Sequence, residues 1–413
     1  MRHIAIIGSG PSGCYLADAL LRLVPDCRID VLDRLPVPFG LVRYGVAPDH
    51  QGTKAVARVF DRILARDRIG FFGHVEVGRD VRLAELEALY DAVVIATGAP
   101  LDRRLGIPGE DLPGVVGSGR FVGWYNGHPD HLQADFAAPR SAVVIGNGNV
   151  ALDVARLLAK APAEFDGSDL GADAAAFLRD APLETIHIVG RRGPEDAKFT
   201  DHELEELASL ERARPAVAAA LPPAADTPRA LILRGFQDLA PKPVALEFHF
   251  GLTPDAFLGT DRVEAVRFRD AERAAHVLPA DLAVTCVGYQ AQACCSENPR
   301  DGVFANDGGH VRDGLHVVGW AKRGPNGTIP TNRQEAQAVA QRIAAGLGAG
   351  GQGGGRPGGA GLRPLLDGRG VRWVDYDGWR RIEAHEVASA DPGRCRRKLA
   401  AIADMLAVAG GSA

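Results

Sequence analysis

Residues 8–13 form a glycine-rich turn, GSGPSG, in which each glycine has its own geometric task. Gly8 permits a tight turn, Gly10 lets the backbone approach a pyrophosphate, and Gly13 lets the following helix pack closely on the preceding strand. The amino end of that helix offers free N–H groups to phosphate oxygens. Asp33 ends the next strand, where its carboxylate can accept hydrogen bonds from a ribose diol. A glycine turn that binds nothing is the alternative, and this flanking context argues against it.

A second turn of the same kind, GNGNVA, spans residues 146–151. No acid closes the strand that follows, and Arg191 and Arg192 stand there instead, in VGRRGP. Guanidinium groups attract a 2′-phosphate, which a carboxylate would repel. The sequence therefore predicts NADP(H), not NAD(H), at the second turn, and the adenosine half of FAD at the acid-bearing first turn. A pair of exposed surface arginines without a ligand is the alternative.

Two further segments carry residues able to act on a bound cofactor. Residues 319–329, GWAKRGPNGTI, join a strand to a helix whose amino end would stabilise negative charge on a reduced flavin ring. Trp320 is placed to pack beside that ring, and an ordinary core aromatic is its alternative. His50 ends the loop FGLVRYGVAPDH, residues 39–50. A lone histidine is more often structural than catalytic, and the sequence leaves its role open.

Apolar, β-branched runs and helical patterns alternate around both turns, which is typical of units that build a parallel sheet. We therefore predict an α/β fold with two Rossmann-like dinucleotide-binding domains. A glycine-rich stretch at 347–360 predicts a flexible linker, and the tail beyond it, with Trp373 and Trp379, is expected to be ordered. The predicted strands lie at 3–7, 28–32, 91–98, 141–146, 184–190, 281–289 and 314–319, and the predicted helices include 152–160, 328–341 and 396–409.

Composition excludes several classes of protein. The formal net charge of -5 over 413 residues offers no general attraction for nucleic acid. The 6 cysteines include no CxxC pair and match neither a disulfide framework nor a zinc site, so we expect reduced thiols and no metal. The vicinal pair Cys294–Cys295 carries a small prospect of a redox role. No apolar run reaches membrane-spanning length and the chain opens on its first strand, so we expect a cytoplasmic protein with no membrane insertion. We also expect a monomer.

The motifs taken together resemble the adrenodoxin reductase family of ferredoxin–NADP reductases, bacterial members included. The resemblance covers nearly the whole chain, in the expected order, through PFGLVRYGVAPDH, VVIGNGNVALDVARLL, VGRRGP with FTDHELEEL, GWAKRGPNGTI and WRRIEAHE. It implies an FAD-binding domain made from residues 1–104 and 315–413, with an NADP-binding domain, 105–314, inserted between. Departures from the family pattern are Asp33 for a frequent Glu, Lys198 for a small residue, Asn326 for Thr or Ser, and Pro330.

The resemblance also implies site residues. His50, Asp153 and Glu206 match positions near the flavin and nicotinamide and are the catalytic candidates. The FAD-binding candidates are Gly8, Gly10, Ser12, Gly13, Asp33, Leu41, Val81, Trp320, Gly327, Thr328 and Ile329. The NADP-binding candidates are Arg103, Asn147, Gly148, Asn149, Val150, Arg191, Arg192, Glu203 and Gly327.

The activity implied is that of a ferredoxin–NADP reductase, in which FAD takes a hydride from NADPH and passes single electrons to a ferredoxin-type iron–sulfur protein. Because ferredoxins are usually acidic, docking requires a local basic patch. Arg394, Arg396, Arg397 and Lys398 form one basic run, for which a solvated face is the alternative. The alternative functions are another NADPH-dependent flavin reductase with two dinucleotide domains and a non-catalytic flavin-binding sensor. A thioredoxin reductase would need the CxxC that is missing here.

Overall fold

The computed structural model describes residues 1–133, 136–218, 227–294, 297–349 and 355–410. The chain divides into two compact units. Unit 1 comprises Met1–Val46, His50–Leu101 and Tyr289–Ala413, and unit 2 comprises Ala47–Asp49 and Asp102–Gly288.

Helices and strands alternate along most of the chain. In the first part of the chain they are β1 (Arg2–Ile7), α1 (Pro11–Leu23), β2 (Cys27–Asp33), α2 (Leu41–Tyr44), α3 (Gln51–Lys54), α4 (Ala57–Leu64), β3 (Ile69–Gly73), α5 (Leu83–Leu89), β4 (Ala92–Ile95) and β5 (Leu101–Asp102). The middle of the chain holds β6 (Val115–Gly117), α6 (Ser118–Tyr125), β7 (Ser141–Ile145), α7 (Asn149–Ala159), α8 (Ala172–Asp180), β8 (Thr185–Gly190), α9 (Asp201–Glu206), β9 (Ala213–Val217), α10 (Pro228–Gly235), β10 (Val244–Phe250), β11 (Thr253–Leu258), β12 (Ala265–Arg269), β13 (Ala275–Pro279) and β14 (Leu282–Thr285). The last part holds β15 (Tyr289–Gln290), β16 (His310–Arg312), β17 (Leu315–Val317), α11 (Trp320–Arg323), α12 (Ile329–Ala349), α13 (Gly359–Gly368), α14 (Tyr376–Ala388) and α15 (Ile402–Val408).

Unit 1 is built on a six-stranded sheet in the order β16-β17-β4-β1-β2-β3. All neighbours in it are parallel except β16 and β17. Side chains of β1 alternate between two apolar layers: Ile4 and Ile6 enter the cluster beneath α1, and Ala5 and Ile7 enter the cluster on the other face. Both faces of a parallel strand are thus buried, which explains why its sequence is continuously apolar.

Unit 2 repeats this plan with a parallel sheet in the order β6-β14-β7-β8-β10-β9. Ala142 and Val144 of β7 face the core beneath α7, whereas Val143 and Ile145 face a smaller core. The antiparallel strands β11, β12 and β13 contribute Phe257, Val266 and Phe268 to that smaller core. The prediction of an α/β fold with two Rossmann-like domains is confirmed.

The unit boundaries differ from the predicted domain boundaries. The chain changes unit after Leu101 and after Gly288, so residues 289–314 lie in unit 1 and not in the inserted region. The physical reason is packing, because Ala291, Cys294 and Phe304 are buried in the same apolar cluster as Ala5 and Ile7.

Several predicted elements have other bounds in the structure. α12 continues to Ala349 and α13 begins at Gly359, so both ends of the predicted linker are helical, while residues 350–354 lie outside the described part of the chain. The last helix begins at Ile402, not at 396. Trp379 is 1% exposed and meets the ring of Phe39 edge to face with centroids 5.5 Å apart, as expected for an ordered tail. Within the described ranges, no helix combines the length and apolarity needed to cross a membrane.

Candidate functional site

The first glycine-rich turn has the backbone geometry that its sequence predicts. Gly8 has φ +113°, and a Cβ built there would lie 2.4 Å from the carbonyl oxygen of Ala96. A Cβ on Gly13 would lie 2.1 Å from the carbonyl oxygen of Gly8, so this glycine is what lets α1 meet β1. A Cβ on Gly10 would meet nothing within 4 Å. Two glycines therefore serve internal packing, while Gly10 leaves open space beside the amino end of α1.

Asp33 lies at the end of β2 directly beside this turn. Its carboxylate accepts a hydrogen bond from the backbone N–H of Ser9 at 3.0 Å and another from the Ser9 hydroxyl. Its second oxygen accepts from the N–H of Leu35 at 3.0 Å. These bonds fix the carboxylate at the rim of the turn, in the position the sequence assigns to a ribose-binding acid.

Three other segments of unit 1 converge on the same turn. The N–H of Phe39 donates to the carbonyl of Ser9 at 3.1 Å, which holds the loop that begins α2. Gly319 has φ +76°, and a Cβ there would lie 2.3 Å from the Ser12 hydroxyl. That hydroxyl donates to Asn332 of α12 at 3.2 Å. The start of α1 therefore lies beside the end of β17 and the first turns of α12. In sequence, 320 positions separate Ser12 from Asn332.

Two polar atoms near these segments are buried without a hydrogen-bond partner among the described residues. They are the Thr97 hydroxyl, which follows β4, and the indole Nε1 of Trp320. The Trp320 ring stacks on Tyr289 with centroids 5.9 Å apart and planes inclined by 13°. Buried polar atoms are rarely left unsatisfied, so each is a candidate for a bond to a ligand. The sequence predicts a strand at 91–98 but does not single out Thr97.

Charged residues stabilise the turn that precedes α12. Glu335 accepts from Lys322 at 3.0 Å and from Arg323, and Arg323 also donates to Asn332 at 2.7 Å. Pro330 lies in the first turn of α12, where its missing N–H removes no helical hydrogen bond. The departure from the family pattern at Pro330 therefore leaves the helix start intact.

The remaining FAD candidates also lie in unit 1. Leu41 is the first residue of α2 and is 45% exposed, which is unusual for a large apolar side chain in an ordered turn. Val81 is buried. Gly327 has φ +83° and precedes Thr328, whose N–H donates to the Thr331 hydroxyl at 3.2 Å.

The second glycine-rich turn reproduces the first with different chemistry around it. Gly146 has φ +145°, and a Cβ there would lie 2.4 Å from the carbonyl oxygen of Cys286. Gly148 caps α7 and has open space where its Cβ would be. Asn147 packs so closely on Gly190 that a Cβ on Gly190 would lie 1.6 Å from the Asn147 side-chain nitrogen. The Asn147 Oδ1 is buried without a hydrogen-bond partner in the described part of the chain.

Two hydrogen bonds donated by backbone N–H groups hold the segment after β8 against this turn. The N–H of Lys198 donates to the carbonyl of Asn147 at 2.6 Å, and the N–H of Thr200 donates to the Asn149 side chain at 2.9 Å. Glu203 then lies in the first turn of α9, with its N–H bonded to the Thr200 hydroxyl at 3.3 Å. Val150 is the second residue of α7, while Arg103 is exposed and bonds through its N–H to the carbonyl of Gly288.

Arg191 and Arg192 immediately follow the last residue of β8. Both side chains are exposed, and neither forms an ion pair with any residue that the structure describes. The carbonyl of Arg192 accepts from the N–H of Gly251 at 3.2 Å, which positions the backbone but leaves both guanidinium groups available. Two guanidinium groups without carboxylate partners suit an anionic ligand.

A buried ion network underlies α7, and sequence reasoning did not find its centre. Arg156, 2% exposed, bonds to Asp49, to Asp153 at 2.8 Å and lies 3.5 Å from Glu206. Lys160 also bonds to Asp49. Burial alone would raise the pKa of Asp49, but its bonds to Arg156 and Lys160 hold that pKa well below the usual value. The network brings the catalytic candidates Asp153 and Glu206 together through one guanidinium group.

His50, the third catalytic candidate, precedes α3 in unit 1 and is half-buried, and its carbonyl accepts from the N–H of Lys54 at 3.0 Å. Cys294 is buried, and Cys295 lies outside the described residues. The basic run near the carboxyl end is partly used within unit 1: Arg396 lies 3.7 Å from Glu383, and Lys398 donates to the carbonyl of Arg43 at 3.2 Å.

The residues present fit the two dinucleotides that the sequence predicts. Each turn combines a glycine with open space, a helix amino end, and a polar atom left unsatisfied among the described residues. The first turn adds a carboxylate for a ribose, and the second adds two guanidinium groups that form no ion pair with any described residue and suit a phosphate.

Comparison with known proteins agrees with this geometry. Residues 2–192 match the pyridine nucleotide-disulphide oxidoreductase family. The chain is 38% identical to cindoxin reductase of Citrobacter braakii, over 98% of this chain and 90% of that protein. It is 37% identical to the mitochondrial NADPH:adrenodoxin oxidoreductase of Homo sapiens, over 99% of this chain and 92% of that protein.

The solved structure of Mycobacterium tuberculosis FprA in complex with NADPH superimposes with a TM-score of 0.93 at 37% identity, covering 99% of this chain and 100% of that one. Identity above 30% over nearly the full length of these relatives confirms the resemblance stated from the motifs. The chain belongs to the adrenodoxin reductase family of ferredoxin–NADP reductases.

Proposed function

We propose that this protein is a ferredoxin–NADP reductase that binds FAD in unit 1 and NADPH in unit 2 and delivers electrons one at a time to a ferredoxin-type iron–sulfur protein. The observation that carries the proposal is the pair of glycine-rich turns, one closed by Asp33 and the other followed by Arg191 and Arg192. When bound, the flavin supplies the conversion between the two-electron chemistry of nicotinamide and the one-electron chemistry of an iron–sulfur centre.

Unit 1 holds FAD in this proposal. Gly10 and the N–H groups at the amino end of α1 bind the pyrophosphate, and Asp33 accepts hydrogen bonds from the adenosine ribose. The unsatisfied Thr97 hydroxyl and Trp320 Nε1 support a polar ligand beside these segments. The other contacts are assigned to Gly8, Ser12, Gly13, Leu41, Val81, Gly327, Thr328 and Ile329.

Unit 2 holds NADPH. Gly148 and the amino end of α7 accept its pyrophosphate, while Arg191 and Arg192 bind the 2′-phosphate through charge-assisted hydrogen bonds. The other contacts are assigned to Arg103, Asn147, Asn149, Val150, Glu203 and Gly327. The exposure of both arginines supports this assignment, because neither is engaged by a carboxylate in the described ranges.

The catalytic candidates have distinct roles in the proposal. Arg156 orients Asp153, since their hydrogen bond is 2.8 Å long and the guanidinium group is buried. Glu206, 3.5 Å from Arg156 and partly exposed, holds or releases a proton near the nicotinamide. His50 is assigned to the flavin side. If His50→Ala left both half-reactions at wild-type rates, its role would be structural only.

The partner in this proposal docks through a local basic patch. The run at 394–398 contributes little, because Arg396 and Lys398 already make contacts within unit 1 and Arg397 lies 3.9 Å from Asp391. Docking of an acidic iron–sulfur protein on exposed basic side chains should weaken with rising salt. A cytoplasmic location and a monomeric state stay predictions.

The activity is tested with the purified holoenzyme in two steps. Anaerobic NADPH should bleach the flavin absorption band, and NADPH-dependent cytochrome c reduction should require an added ferredoxin. Ferricyanide reduction serves as the control for a working flavin. If NADPH bleaches the flavin but no ferredoxin from a broad set supports cytochrome c reduction, the protein is another NADPH-dependent flavin reductase. No bleaching at all would refute catalysis and favour the flavin-binding sensor.

A further inference from the structure

Two histidines and a glutamate meet on the sheet of unit 2. His187 belongs to β8, and Glu247 and His249 belong to the parallel neighbour β10, with His187 paired in register with Glu247. Residues 247 and 249 share one face of their strand because side chains alternate along it. Their neighbours Ile186, Ile188 and Phe248 point to the opposite face and fill the main core of unit 2.

The three side chains place one ligand atom each around a small volume. The Nδ1 of His187 lies 3.1 Å from the Nε2 of His249 and 3.3 Å from the Oε2 of Glu247. The Nε2 of His249 lies 3.5 Å from the same carboxylate oxygen. A tetrahedral zinc ion with ligands at about 2.0–2.1 Å requires edges of roughly 3.3–3.4 Å between its ligand atoms. The three ligand atoms, which are 3.1 to 3.5 Å apart, therefore already match one face of such a tetrahedron.

The surroundings favour a cation over a simple hydrogen-bonded cluster. Across the described ranges, the ion pairs of Glu247 are with these two histidines, and no lysine or arginine neutralises it. In the described part of the chain, the Glu247 carboxylate therefore has imidazole nitrogens and no permanent cation beside it. Two imidazoles and a carboxylate are ligands typical of divalent transition metals.

We propose that His187, Glu247 and His249 bind one divalent transition-metal cation of the zinc class, through Nδ1, Oε2 and Nε2 respectively, with water as the fourth ligand. Solvent can reach the open position because the Glu247 side chain is 37% exposed. This site was not predicted from the sequence, since metal binding was judged from cysteine spacing and these ligands lie on two separate strands.

The bound cation would fasten β8 to β10 just before the loops that follow them. The N–H of Leu252 donates to the carbonyl of Gly190 at 3.1 Å, next to Arg191, and the N–H of Gly251 donates to that of Arg192 at 3.2 Å. A clamp at residues 187–249 therefore stabilises the loop that carries both arginines. The metal proposal does not depend on the proposed function, because it concerns ligand atoms and not turnover.

The test is calorimetric titration of ZnCl₂ into untagged, EDTA-treated holoenzyme, with thermal unfolding as a second readout. We expect one zinc ion per chain and a higher Tm with zinc present. Glu247→Gln/His249→Asn should weaken binding by at least the roughly 10–100-fold that loss of even an outer-shell partner causes. These two side chains are partly exposed, so the variant should fold, which its Tm without zinc will establish.

His310→Ala is the matched control, because His310 and His316 also face each other, with ring centroids 5.6 Å apart, on the sheet of unit 1. It should bind zinc as the wild type does. The proposal is wrong if the wild type shows no stoichiometric binding, if the double variant binds zinc as tightly as the wild type, or if His310→Ala abolishes binding.

Discussion

The two glycine-rich turns share one backbone design and differ in what surrounds it. Gly8 and Gly146 both adopt positive φ against a neighbouring carbonyl, and Gly10 and Gly148 both leave open space before a helix. The first turn ends in a carboxylate fixed by the Ser9 N–H, whereas the second is followed by two arginines with no ion pair in the described chain. Selectivity between nucleotides thus resides at the strand end and not in the turn itself.

The helices behind the turns differ in the same sense. α1 buries apolar residues against the sheet and α12, whereas α7 buries Arg156 among Asp49, Asp153 and Glu206. Removing one partner from a buried ion pair costs far more than removing an exposed pair. The helix beneath the second turn therefore adds a buried ion network to its apolar packing, whereas α1 meets its neighbours through apolar residues.

Asp49→Asn should give the largest effect, because it removes a buried carboxylate from Arg156 and Lys160. We expect a loss of about 3 kcal/mol in the free energy of unfolding at pH 7. Since the pKa of Asp49 is depressed in the folded state, its contribution is present above the unfolded carboxyl pKa of about 3.9 and is lost as pH falls below it. Urea unfolding of wild type and variant from pH 7 to pH 3 measures this difference.

Asp180→Asn is the control, because its ion pair with Arg179 is fully exposed and should show no measurable change. If the difference in unfolding free energy between wild type and Asp49→Asn stayed constant or grew below pH 4, the ion network would not be what stabilises α7.

Gly13→Ala should have the next largest effect. Its Cβ would lie 2.1 Å from a backbone oxygen, which a rotamer change cannot relieve, so we expect a loss of about 1–3 kcal/mol in unfolding free energy and release of the flavin. Gly10→Ala has space for its methyl group and should keep the apoprotein Tm while weakening FAD retention. Flavin content after gel filtration, with Tm, separates the two. Equal Tm losses in both variants would show that Gly10 is also a packing residue.

Trp320→Phe should give the smallest effect. The ring stack with Tyr289 is retained, and only the unsatisfied Nε1 is lost. If that atom donates to the flavin, the variant should lose one neutral hydrogen bond, worth about 0.5–1.5 kcal/mol. Its Kd for FAD should then be up to roughly tenfold higher than that of the wild type. Fluorescence titration of apoprotein with FAD measures this. An unchanged Kd would assign Trp320 to the core.

Local features of the site were predictable from sequence, and features made by long-range packing were not. The turns, Asp33 and the arginine pair each depend on a strand, a turn and a helix that follow one another in the chain, so spacing was enough. Asp49 and Arg156 are 107 positions apart, and His187 and His249 are 62 apart, so only the folded sheet brings them together. Residues 289–314 belong to unit 1 for a similar reason, because Phe304 and Ala291 reveal their unit only through the core they enter.

The most direct measurement compares kcat/KM for NADPH and for NADH in the wild type and in Arg191→Ala/Arg192→Ala, with Arg262→Ala as an exposed control in unit 2. The account predicts that the double variant loses roughly 10- to 100-fold with NADPH, the value of one or two charge-assisted hydrogen bonds, while NADH turnover and the control change little. Equal losses with both coenzymes would contradict the assignment of this strand end to the 2′-phosphate.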